Sequence, residues 1–179
     1  MKKLLLCLGF LGIFFINQVN ASEIAVINLD EIIKNSTAMT KVNKALESRK
    51  ADMEKRLKAQ EKTLSNEKAS LESQIKTLSQ DVAQEKVAEF QQKVLNFQKE
   101  VRENENSLQK TYMDAIVEIT NKIKEIVADM KTEKGSKYKY DVVLPSSAVV
   151  FNEKNVDISS EVLFKLNKEL KTVKAISSK

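Results

Sequence analysis

The chain has 179 residues and a formal net charge of +5, with 31% charged residues, 3 Gly, 1 Pro, 1 Cys, no His and no Trp. Gly9, Gly12 and Cys7 all fall in the first 21 residues, so Gly135 and Pro145 are the only helix breakers in the rest. Glycine and proline make most tight turns, and His and Cys most nucleophilic and zinc chemistry. The composition therefore argues against a turn-rich sandwich, a Rossmann core, an enzyme, a metal site or a cofactor, and for a helical protein.

Residues 1–21 read as a secretory signal peptide. Lys2 and Lys3 precede an uncharged apolar run over 4–16, and Val19-Asn20-Ala21 offers a cleavage site after Ala21. The alternative, a retained anchor, wants about 20 apolar residues to cross a bilayer. Losing Lys2 and Lys3 takes the formal charge from +5 to +3. The remaining charges alternate in sign, which points to a solvated helix surface and away from nucleic acid.

Ile24-Ala25-Val26-Ile27 with Leu29 is an apolar run suited to a buried strand. The longest pattern follows, over residues 41–131. Leu57, Leu64, Leu71 and Leu78 recur every seven residues, and so do Val87, Val94, Val101 and Leu108. Phe90 and Phe97 accompany the second ladder. These are coiled-coil seams. The second ladder is offset from the first by a remainder of two, whereas interruptions of a continuous coil are usually three or four. The offset predicts two helices folded back on each other in place of one rod. In that register Leu64 faces Phe97 and Leu71 faces Phe90, and the turn falls at Ser79–Val82, with Ser79 capping the returning helix. Gln60, Glu67, Gln74, Asn104 and Thr111 interrupt the seam with polar groups. Such positions lower coil stability, or else set its register.

Downstream, residues 134–139 are basic, with Tyr138 and Tyr140 nearby. This stretch is either a solvated loop or a weak contact for anionic lipid headgroups. Asp141-Val142-Val143-Leu144, a turn at Pro145-Ser146-Ser147, and Ala148-Val149-Val150-Phe151 predict a β-hairpin or two strands around a corner. Residues 152–157 read as a plain polar turn. Ser159 is the expected N-cap of a last helix carrying Val162, Leu163, Leu166 and Leu170, with Ile158 and Leu163 as its hydrophobic staple. Three short strands and one helix bury little surface alone, so this unit is expected to need a partner copy.

The order of strand, long charged hairpin, two strands and short helix behind a leader resembles the Skp/OmpH family of periplasmic chaperones. The residues that carry the resemblance are Ile24-Ala25-Val26-Ile27-Asn28, Tyr140 to Leu144, Ser147 to Phe151, Val156-Asp157-Ile158-Ser159, and Leu163 to Lys168. The 135–140 connection departs from it, being longer and more basic. The resemblance implies a mainly α fold in which a long antiparallel helical arm (41–131) projects from a β-stranded trimerisation body (22–40 and 132–179). It also implies a homotrimer that holds unfolded outer-membrane proteins in the periplasm without ATP. Ile24, Val26, Val142, Leu144, Val149 and Phe151 are the expected body core. No client-contacting residues carry over, because such contacts are diffuse. An exported structural coiled coil that spaces envelope components is the competing expectation.

Overall fold

The computed structural model describes residues 23–177, so the expected leader and Cys7 lie outside the described residues. The chain begins with strand β1 (Glu23–Ile27), followed by the short helix α1 (Leu29–Asn35). Asn28 starts α1 by a reciprocal cap. Its Oδ1 accepts the Glu31 N–H at 3.1 Å, and its Nδ2 donates to Glu31 Oε2 at 3.0 Å. Ser36 then separates α1 from helix α2 (Thr37–Gln74) with an extended backbone at φ −71 and ψ 144. The buried Ser36 hydroxyl donates to Ile33 O at 2.8 Å and accepts the Met39 N–H at 3.1 Å. One side chain thus closes one helix and opens the next.

Helix α2 has 38 residues and helix α3 (Gln80–Thr132) has 53. At 1.5 Å per residue these reach about 57 and 80 Å. They run antiparallel, as the cross-helix pairs Arg56–Glu100 and Lys93–Glu67 require. The link between them spans residues 75–79, earlier than the expected Ser79–Val82. Thr77 causes the shift, since its N–H and its hydroxyl both donate to Gln74 O at 3.0 Å and end α2 there. Ser79 holds the N-cap of α3 in an extended conformation without a side-chain cap bond, and residues 80–82 are already helical.

The extra length of α3 enters the body, where Ala115, Ile119, Ile123, Ile126 and Met130 are buried. The spacing of these residues places them on one face. Gly135, at φ +80, then lets the chain leave the helix in a conformation that costs other residues roughly 1–2 kcal/mol.

Strand β2 (Tyr140–Pro145) returns alongside β1 in parallel, with Ile24 opposite Val142 and Val26 opposite Leu144. Parallel neighbours need a long crossover, and here the crossover is the whole arm. The second strand expected over 148–151, in a hairpin or around a corner, does not form. After Pro145 a 3-10 turn (Ser146–Ala148) carries the chain out of the sheet, closed by the Val149 N–H on Ser146 O at 3.1 Å. Residues 149–151 pair with no strand among the described residues, and Val150 and Phe151 stand exposed. A second 3-10 turn (Lys154–Val156) leads to Asp157, which bridges to Val26.

Helix α4 (Ser159–Glu169) buries Val162 and Leu166, and helix α5 (Lys174–Ser177) follows it. Ser159 is not the N-cap that the sequence suggests; Ile158 holds that position. The Ser159 hydroxyl is occupied elsewhere, accepting the Asn28 N–H at 2.8 Å and donating to Asp157 Oδ1 at 2.6 Å. One core unites Ile27, Ile32, Met39, Val42, Ile123, Val162, Leu166 and Val173. Each large aliphatic side chain fully buried there contributes about 1.5–3 kcal/mol.

Candidate functional site

Two surfaces stand out, the arm and one edge of the body. Along the arm Leu57, Leu64, Leu71 and Leu78 on one side are half-buried. On the return Val87, Phe90, Val94, Phe97, Val101 and Leu108 are half-buried too. Leu71 and Phe90 line one shallow cleft, and Leu64 and Phe97 another. A pair of helices has no third element to cover its seam, so full burial is not available to these side chains. The arm is held by one layer of apolar contact and by charge.

Its middle is polar. Gln60 Nε2 donates to Glu100 Oε2 at 2.9 Å, and the Arg56 guanidinium lies 3.2 Å from Glu100 Oε1. Arg56 also reaches Asn104 Oδ1 at 3.4 Å. Gln60 Oε1 and Asn104 Nδ2 are buried with no hydrogen-bond partner among the described residues. A buried polar atom without a partner costs about 1–3 kcal/mol, so this node lowers the stability of the arm. Glu67 is held by Lys93 at 2.8 Å. Gln74 is exposed at the rim of the cleft that Leu71 and Phe90 line, and it bonds Ser70 Oγ at 2.9 Å. Thr111 turns its hydroxyl back onto Ser107 O at 2.9 Å.

The outer surface of α3 carries the large apolar side chains Leu95, Met113 and Val117, each at least half exposed. Leu95 and Met113 are five turns apart and therefore share one helix face. Tyr112 is also exposed.

The body edge is the second surface. Ile24 is 50% exposed, Val142 43% and Phe151 76%. Leu144 and Val149 are half-buried, whereas Val26 is buried inside the single chain. These positions leave apolar side chains on a small body that no element among the described residues covers. In the basic connection the Lys137 ammonium sits 5.0 Å above the Tyr138 ring and 3.8 Å from Glu161, while Lys134 and Lys139 are exposed.

The sequence reading missed α1 and α5. The signal for α1 was present as Asn28 followed three residues on by Glu31, an N-cap and its reciprocal partner. Helix α5 has only four residues and no such mark. Among the described residues no cluster of His, Cys, Asp or Glu could hold a metal ion, and no helix is long and apolar enough to cross a membrane.

A family model described as "Outer membrane protein (OmpH-like)" matches residues 23–166. Among solved structures, a candidate outer membrane chaperone (OmpH-like) from Caulobacter crescentus CB15 shares 18% sequence identity and a TM-score of 0.72, covering 86% of this chain and 88% of that one. At that identity the likeness bears on the fold. The search of curated proteins returned no match.

Proposed function

The chain belongs to the OmpH-like family of outer membrane chaperones, a non-enzymatic family, and from that premise we propose that it is a periplasmic, ATP-independent holdase for unfolded outer-membrane β-barrel proteins. Three copies join through the body edge, and their arms enclose a space in which a client is kept from aggregating. The observation that carries this reading is the build of the arm. It is two helices thick, half-buried along its seam, polar at its middle, and studded on α3 with single exposed apolar side chains at Leu95, Met113 and Val117. Contacts of that kind are individually weak, so a client is shielded by many of them and released without nucleotide hydrolysis. The strip of Ile24, Val142, Val150 and Phe151 supports assembly, because a small body gains stability by covering such side chains.

The test is to dilute an unfolded outer-membrane β-barrel protein from denaturant into stoichiometric chain without ATP. Light scattering should stay low, and removal of the chain should restore aggregation. A spacer of envelope components would give no protection, and that result would end the chaperone reading.

A further inference from the structure

The family match stops at residue 166, yet the fold continues onto the root of the arm. Val173 is completely buried, and Leu170 and Ile176 pack against the same core. Polar ties from this segment reach both arm helices. On α2, the Thr37 N–H donates to Asn167 Oδ1 at 2.7 Å, and Lys41 Nζ donates to Thr172 Oγ1 at 3.1 Å. On α3, Glu118 Oε2 accepts the Lys174 N–H at 2.9 Å, and Lys122 Nζ lies 3.0 Å from Glu169 Oε2. Between the two pinned stretches Val42, Ala115 and Ile119 are fully buried.

We propose that residues 167–177 form a clasp that sets the angle at which the arm leaves the body. A segment that only enlarged the core would need apolar contact and nothing more. This one adds two ties to each helix, from Asn167, Glu169, Thr172 and Lys174. A swing of the arm in the plane of its two helices stretches the ties to one of them. Exposed ties are individually weak; the constraint comes from their placement on both helices around Val173. The proposal does not depend on client binding, because the angle is a property of the chain itself.

The test reads that angle by electron-spin distance measurement on the full chain with Cys7→Ser. Labels sit at Lys154→Cys in the body and Gln98→Cys on the arm, both exposed positions. Labelled chain is diluted in unlabelled chain so that only distances within one copy are seen. The unaltered clasp should give one narrow distribution. A chain ending at Lys171 should give a distribution at least twice as wide while the body keeps its circular dichroism. Should the shortened chain not fold, Glu118→Ala with Lys122→Ala removes the α3 ties and leaves Val173 in place, and it should widen the distribution likewise. Glu118→Gln keeps an acceptor for the Lys174 N–H and should restore the narrow form when paired with native Lys122. A folded shortened chain, or the double alanine variant, with the width of the full chain overturns the proposal.

Discussion

The hydroxyl of Ser159 accepts the backbone N–H of Asn28 across 131 residues of sequence, at 2.8 Å. It joins Asn28, the residue after β1 and the N-cap of α1, to the first residue of α4, and it donates in turn to Asp157 Oδ1 at 2.6 Å. Ser159→Ala leaves the Asn28 N–H without this partner and should cost about 1–2 kcal/mol. A urea midpoint lower by that amount, with arm helicity unchanged, is the expected outcome.

The polar node of the arm makes a prediction of the opposite sign. Gln60 Oε1 and Asn104 Nδ2 are buried without partners, so Gln60→Leu with Asn104→Leu removes both debts and adds apolar seam. The variant should be more stable by roughly 1–3 kcal/mol. Its amide exchange around residues 56–64 and 97–104 should slow. Unchanged protection there would mean that the node is not where the arm opens.

Leu71 and Phe90 line one cleft near the tip. Cysteines placed at both positions, with Cys7→Ser, should crosslink within one chain and leave the mass on a denaturing gel at that of the monomer. Crosslinks formed only between chains would contradict the folded-back arm.

Phe151 is 76% exposed and Val150 fully so. If this edge joins copies, Val150→Asp with Phe151→Asp places charges inside the joint. The particle mass in light scattering should then fall from that of an oligomer to that of one chain. An oligomer that survives both aspartates must be built on another surface.

Alkaline pH should weaken the body. Lys122 is held above its ordinary 10.5 chiefly by its hydrogen bond to Glu169 and then by Glu125, and Lys165 chiefly by Glu133. Tyr140 is raised above 10.0 by burial, with Tyr138 adding to it. A raised folded-state value means that the folded chain keeps its proton longer than the unfolded one. The linked stability is intact below the ordinary value and is lost as pH climbs through the folded value. The urea midpoint should hold steady from pH 8 to about 9.5 and fall from about pH 10 upward. Tyr140→Phe should remove the earlier part of that fall, and a midpoint flat to pH 11 would contradict the assignment.

The arm was legible in the sequence because its information is periodic. A seven-residue ladder is written many times over, and the offset between Leu78 and Val87 reports the reversal without any glycine to mark it. The body was less legible, because its elements find their partners at long range. Val149-Val150-Phe151 has the composition of a strand, but β-propensity describes a surface to be packed, not a neighbour to pair with. Within one chain that surface stays open. Ser159 misled for a related reason: a serine at a helix start is a good local cap, and only the arrival of Asn28 assigns its hydroxyl to another task. The turn at Thr77 was hidden because a side chain returning to its own backbone leaves no periodic trace.

The parallel pairing of β1 with β2 has a consequence for the order of folding. The two strands are separated by the entire arm, a loop of roughly 115 residues whose closure as an open coil is entropically costly. Zipping the helices from the tip shortens that loop to about 20 residues and lowers the closure cost by on the order of 1.5 kcal/mol. The sheet is therefore expected to close after the arm has zipped, with the arm bringing its two halves together. A mutation that slows the arm should delay the body, even where it touches no residue of the body's core.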